Sequence, residues 1–159
     1  WYLEQVEAIR RILPQAAIST DIIVGFCTET EAEHQDTISI MAEVNFSFAY
    51  MYMYSERPGT LAAKRFSDDI PEDVKNRRLN EIIEQQHRSS HKRVLEQLGK
   101  VQKVLIESFS KKSDKDYAGR SDQNTTVIFP VDKRFKPGDY VHVLTESCTT
   151  ATLIGKIID

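Results

Sequence analysis

The hydrophobic period of the chain changes at Gly99. Before it, apolar residues recur at helical spacing or in continuous runs. After it they fall in short runs separated by turn residues. Val101–Ser108, Tyr117–Ser121, Thr125–Phe129, Tyr140–Thr145 and Thr149–Ile158 are β-type runs. The clusters Lys111-Lys112-Ser113-Asp114, Asp122-Gln123-Asn124 and Lys136-Pro137-Gly138-Asp139 divide them. Five short strands closing on themselves predict a small all-β, OB-like antiparallel barrel of the oligonucleotide-binding type.

The preceding stretch predicts an α/β unit. Leu3, Val6, Ile9, Ile12 and Leu13 mark one face of a helix over residues 2–13. Pro14 ends it, because proline lacks a donor and clashes with the turn before it. Ala16–Phe26 predicts a strand, and the continuous run Ile22–Val24 predicts burial on both faces. A second helix follows over Thr28–Val44, with Thr30 as N-cap and Glu31 and Glu33 at the positive end of its dipole. Phe46–Tyr54 is a second strand, so helix–strand–helix–strand implies parallel pairing. Ser55–Ile70 predicts a loop. Pro71 opens a long helix, whose buried side is marked by Val74, Leu79, Ile82, Ile83, Val94, Leu95 and Leu98 and whose C-cap is Gly99. Gln85–Arg93 is polar all round, which predicts a solvent-bathed strut.

Charge divides at the same place. Residues 1–98 carry 11 Lys/Arg against 16 Asp/Glu, whereas residues 99–159 carry 10 against 8. Apolar residues are 40% and charged residues 28%, which excludes a disordered or collagen-like chain. No apolar run is long enough for a membrane span. Cys27 and Cys148 are the only cysteines. They form no metal-ligand motif and no disulfide framework, so a cytoplasmic location is expected. His87 and His91 share a helix face, but Arg88 stands where a zinc-protease motif has Glu, which favours a solvated face. Glu29, Glu31 and Glu33 read as helix-start charges rather than a carboxylate pair. Cys27 reads as a small buried or half-buried thiol without a basic partner. The opening Trp1-Tyr2-Leu3-Glu4, already helical in pattern, suggests a piece of a longer protein.

Four ordered stretches resemble one family. They are Thr20-Asp21-Ile22-Ile23-Val24-Gly25-Phe26-Cys27-Thr28-Glu29-Thr30; Tyr54-Ser55-Glu56-Arg57-Pro58-Gly59-Thr60-Leu61-Ala62-Ala63; Ile70-Pro71-Glu72-Asp73-Val74-Lys75 with Arg78-Leu79; and Gly119-Arg120-Ser121-Asp122-Gln123-Asn124 with Val127 and Phe129. Together they resemble the radical S-adenosylmethionine methylthiotransferases. The first three are similar to the end of their radical barrel and the helix after it, and the fourth to their TRAM domain. Arg57-Pro58-Gly59-Thr60 and the Gly-Arg turn point within the family to the type acting on N(6)-isopentenyl-type adenosine beside the tRNA anticodon. The threonylcarbamoyl-adenosine type is a close competitor, and the ribosomal-protein type is less similar.

The resemblance implies a parent enzyme with S-adenosylmethionine and two 4Fe–4S clusters. None of its cluster cysteine motifs is in this chain, so the chain alone is expected to be inactive, without catalytic residues or metal ligands. It implies residues 1–70 as the end of the radical barrel, 71–98 as a connecting helix and 99–159 as an RNA-binding TRAM domain. Gly25, Glu29, Tyr54, Ser55, Arg57 and Gly59 then line the S-adenosylmethionine side. Arg120, Asn124, Lys133, Arg134 and Lys136, with Phe129 as a stacking ring and Lys111, Lys112 and Lys115 on a neighbouring turn, then meet a tRNA anticodon stem-loop. The remaining portion of the same enzyme is the other implied partner, and no membrane is. A stand-alone RNA-binding protein and a protein-interaction module docking through the long helix are the competing readings.

Overall fold

A computed structural model describes residues 1–158. Its elements are α1 (Tyr2–Ile12), β1 (Ser19–Val24), α2 (Glu31–Val44), β2 (Phe48–Met53), α3 (Leu61–Arg65), α4 (Glu72–Leu95), β3 (Val101–Ser110), β4 (Ser113–Ser121), β5 (Thr126–Pro130), β6 (Tyr140–Cys148) and β7 (Thr152–Ile157). Two compact units result. The first holds Trp1–Arg11 and Ile18–Ser89, and the second Ile12–Ala17 and the residues from Ser90 on. No helix among the described residues is long and apolar enough to cross a membrane.

In the first unit β1 and β2 pair in parallel, from Ser19 opposite Phe48 to Val24 opposite Met53. Val6, Met41, Val44 and Ile82 from three helices pack with Val24 and Phe46, supported by Ile22, Met51 and Met53. Only one face of the sheet is covered this way. Ile23 is 56% exposed, as are Tyr50 and Tyr52 to similar degrees. The expected two-faced burial of Ile22–Val24 is therefore corrected: alternation along β1 sends Ile22 and Val24 inward and Ile23 out.

Thr30 caps α2 as expected. Its hydroxyl accepts from the Glu33 N–H, and the Glu33 carboxylate accepts from the Thr30 N–H, a reciprocal capping box. The stretch expected as a plain loop contains α3. Thr60 caps that turn by accepting from the Ala63 N–H, and Leu61-Ala62-Ala63-Lys64-Arg65 are good helix formers. On α4 the polar stretch is not all in solvent. Gln86 and Ser89 are buried, and the Gln86 amide donates to the Phe46 carbonyl at 3.1 Å. Here a buried polar side chain is tolerated because it satisfies a buried carbonyl. Gly99 is not the C-cap either. The helix ends at Leu95, and Gly99 (φ +73°) donates its N–H to Thr145 on β6.

The second unit is a closed ring of five strands in the order β3-β4-β5-β7-β6. Four seams are antiparallel, but β5 and β7 run parallel, pairing Thr126 with Thr152, Val127 with Leu153 and Ile128 with Ile154. The all-antiparallel expectation is thereby corrected, and the reason is parity. Direction cannot alternate all the way round a ring with an odd number of strands. Inward residues fill the ring: Val104, Ile106, Tyr117, Val127, Phe129, Val141, Val143 and Leu153. The Tyr117 hydroxyl donates to the Phe135 carbonyl at 2.8 Å, so the one polar tip among them is satisfied. Gly119 and Gly155 also face inward, where a Cβ would collide with the carbonyls of Leu105 and Leu144.

Overpacking of this kind costs about 1–3 kcal/mol. Gly119→Ala is therefore expected to lower the urea midpoint of the chain by that amount of stability. An unchanged midpoint would mean that β3 and β4 separate freely at this point.

Candidate nucleic-acid interface and strand-end site

Two places gather functional side chains, one in each unit. The first lies beyond the C-terminal ends of β1 and β2, where parallel α/β sheets place ligands. Gly25 (φ +69°) and Thr28 (φ +68°) turn the chain sharply there. The Glu29 carboxylate accepts from the Gly25 N–H and from Arg78, both at 2.7 Å, and both Glu29 and Arg78 are largely buried. Tyr54 N–H donates to the Val24 carbonyl at 2.8 Å, tying the two strand ends together.

Lys75 reaches this site from α4. It is 3% exposed, and its Nζ lies 2.6 Å from both carboxylate oxygens of Asp68. The ammonium also sits 5.6 Å from the Tyr54 ring centroid, at cation–π distance. Its methylenes occupy the space where a Cβ at position 25 would stand, so only glycine fits beside it. Cys27 is 2% exposed. The Tyr54 hydroxyl is shielded from solvent without a partner at hydrogen-bonding geometry. The adjacent Cys27 thiol, together with burial, pushes that phenol up to about 12.

Next to it, α2 and α4 are joined by charge. Arg77 bonds Glu31 at 2.7 Å and Glu81 at 2.8 Å, and Arg78 adds a second contact to Glu31. Fully buried His34 places Nε2 2.7 Å from Glu81. Glu31, His34 and Glu81 lie close enough to share a cation. Two guanidinium groups already occupy the carboxylates, so the cluster is an ionic brace. Arg77 above all holds Glu31 down at about 2, and His34 and Arg77 lower Glu81.

The second place is a groove of about 670 Å³ on the outer side of the ring. Its floor is set by register. Ala118 on β4 stands opposite Ile128 on β5, which stands opposite Ile154 on β7. The neighbouring row is Arg120, Thr126 and Thr152. Lys111 and Lys112 form the β3–β4 turn at one rim, and Thr149 in the β6–β7 loop stands at the other. A bulge helps: the register shift between Ile106 and Ser108 leaves Glu107 unpaired and turns Ser108 outward beside Ala118. Arg120 donates to the Asn124 carbonyl at 3.0 Å and lies 3.6 Å from Glu107. Such an exposed pair contributes little stability and can be exchanged for another anion.

The residues expected to form one RNA surface are thus distributed. Lys111, Lys112 and Arg120 line the groove. Asn124 holds the β4–β5 turn in the left-handed region (φ +59°) and offers Arg120 its carbonyl. Lys133, Arg134 and Lys136 are exposed in the β5–β6 connection, where Arg134 pairs with Asp132. Lys115 is exposed on β4 outside the groove lining. Phe129 is corrected. It is fully buried in the ring, since its place opposite Tyr117 points it inward, so its ring is closed to stacking. Of the strand-end residues, Gly25, Glu29 and Tyr54 come together, while Ser55, Arg57 and Gly59 lie exposed on the following loop. Lys75, Asp68 and Arg78 complete that site without having been expected there. Their one signal was their place in or beside the stretch Ile70–Leu79.

Residues 95–158 match the TRAM domain family. Along 99% of its length the chain is 53% identical to the tRNA-2-methylthio-N(6)-dimethylallyladenosine synthase of Amoebophilus asiaticus, covering 32% of that protein. It is 48% identical to the synthase of the same name from Flavobacterium johnsoniae, again over 99% of the chain and 32% of the relative. The Phocaeicola vulgatus protein of that name is 47% identical over 98% of the chain and 34% of its own length. The chain therefore spans about a third of the length of these relatives.

The ionic brace gives the first unit a defined acid response. Glu31 has a folded pKa below its ordinary 4.5, so its contribution is complete above that value and is lost as pH falls toward about 2. Urea unfolding followed by circular dichroism should show stability falling through this window. Glu31→Gln should flatten the fall while lowering stability at neutral pH. An equally steep acid loss in the variant would assign the response to other carboxylates.

Proposed function

We propose that this chain, homologous along its length to the C-terminal part of tRNA methylthiotransferases and carrying a TRAM domain, supplies the RNA-holding surface of such an enzyme. The observation that carries the reading is the position of the groove. It runs over the second and third strands of the ring, between the first hairpin turn and the last loop. Oligonucleotide-binding folds use this same place. Lys111, Lys112 and Arg120 supply cations for phosphates, and Arg120 can grip one with two parallel hydrogen bonds. Ala118, Ile128 and Ile154 give sugars and bases an apolar floor. Glu107 and Asp116 also line the groove, so its charge excess is modest and its affinity for RNA alone is modest too.

The parent reaction in this reading converts an N(6)-isopentenyl-type adenosine beside the anticodon into its 2-methylthio derivative. The first unit contributes one wall of the S-adenosylmethionine pocket. Gly25, Glu29 and Tyr54 gather at the strand ends, and Ser55, Arg57 and Gly59 are exposed on the loop that follows, which supports this reading. Glu29 acts one step back, holding the Gly25 turn through its N–H. S-adenosylmethionine supplies the radical and the methyl group when bound. The iron–sulfur clusters do not fit this part of the enzyme: Cys27 is buried in one unit and Cys148 belongs to the other. Their thiolates come from the rest of the parent.

Filter binding of a short RNA hairpin across a salt series tests the groove. Three phosphate contacts predict a slope of log affinity against log salt of about −2. Lys112→Ala should reduce its magnitude by about one unit, whereas Arg120→Lys should keep the slope and weaken binding. Salt-independent affinity, or no binding at low salt, would remove the RNA reading.

A further inference from the structure

We infer that Thr126 and Thr152 form a ribose-reading pair, by which the groove distinguishes RNA from DNA of the same sequence. The inference rests on the groove being the RNA surface and adds what it recognises. The two threonines stand opposite each other across the parallel β5–β7 seam. Their neighbours Val127 and Leu153 are fully buried, so alternation turns both threonines outward into the groove. Both are half-buried, and neither side-chain hydroxyl has a hydrogen-bond partner among the described residues. By contrast, the hydroxyls of Thr30, Thr37, Thr60 and Thr145 each bond to a backbone group.

Chemistry favours the sugar as their target. A hydroxyl both donates and accepts and rotates to suit its partner. The ribose 2′-OH has the same two-way character, and it is the group that separates RNA from DNA. Base edges present fixed donor and acceptor patterns, which two freely rotating hydroxyls cannot tell apart. Arg120 continues the same row on β4, directly opposite Thr126. Adjacent strands lie about 4.8 Å apart. One row thus places a phosphate-gripping cation beside two ribose-facing hydroxyls. The parallel row of Ala118, Ile128 and Ile154 carries no polar side chain, so it supports the strand without reading sequence. The expected recognition is sugar-specific and sequence-tolerant.

The test uses the whole chain and fluorescence anisotropy at one fixed low salt concentration. The probes are a short RNA hairpin with a single-stranded loop, its 2′-deoxy counterpart and its 2′-O-methyl counterpart. Each neutral hydrogen bond lost should lower affinity roughly 2- to 10-fold. The unaltered chain should therefore prefer RNA over both counterparts by at least that factor. T126V/T152V should bind RNA and DNA alike, and T126S/T152S should keep the preference, with thermal melts showing that both variants fold. The 2′-O-methyl comparison needs no variant, so it stands even if valine perturbs the ring. RNA and DNA binding the unaltered chain equally, while Lys112→Ala weakens both, would overturn the ribose pair and leave the groove in place. An RNA preference unchanged in T126V/T152V would do the same. Failure of every probe to bind at low salt would instead remove the RNA reading on which the pair depends.

Discussion

Closing a ring with five strands forces one parallel seam, and the second unit depends on how that seam is made. Only β5 and β7 can meet it, because β6 pairs back to β3 and β7 returns beside β6. The seam is short, three residue pairs long. Its inward residues, Val127 and Leu153, are wholly buried, so hydrophobic contact holds the join that a short parallel ladder would hold weakly. Its outward residues come from strands that a purely antiparallel sheet would not have set side by side. The groove floor is therefore a by-product of closure: the constraint that completes the core also assembles the outer surface.

The first unit follows a different logic, in which buried charge does the positioning. Lys75 and Arg78 are among the least exposed side chains of α4, yet both are cationic. Each is matched by a carboxylate from a separate segment, Asp68 from the loop after α3 and Glu29 from the turn after β1. Apolar residues could fill the same volume, but they would not fix the turn at Gly25 through its N–H. The polar arrangement specifies where the strand-end loops lie, at the cost of needing every partner present.

Element types were legible in the sequence because their periods differ. The change at Gly99, the capping box at Thr30 and the proline before α4 each carry a local physical signature. The capped turn of α3 was missed because five residues give no period to read. The two-faced reading of Ile22–Val24 failed because an apolar run does not say how many layers will cover it. At the groove the limit was distance along the chain. Ala118, Thr126, Ile128, Thr152 and Ile154 look like ordinary strand residues, and only cross-strand register gathers them. Phe129 was misplaced for the opposite reason. Aromatic character suggested a stacking ring, whereas its side of the strand, shared with Val127, decided the matter. Lys111, Lys112 and Arg120 were legible because cations in turns and beside them are exposed almost by default.

The pairing of Lys75 with Asp68 has a consequence for motion. By composition the segment between β2 and α4, with its Pro58-Gly59 and paired aspartates, resembles a connection free to open on its own. Opening it would strip a nearly buried ammonium of its counter-charge, a loss on the scale of roughly 3–5 kcal/mol when a buried pair is broken. Local unfolding is drawn from the least costly openings a structure offers. This one is closed off unless the first turn of α4 comes away as well and lets the lysine reach water. The end of the connection at Asp68 and the start of α4 therefore open together rather than one without the other.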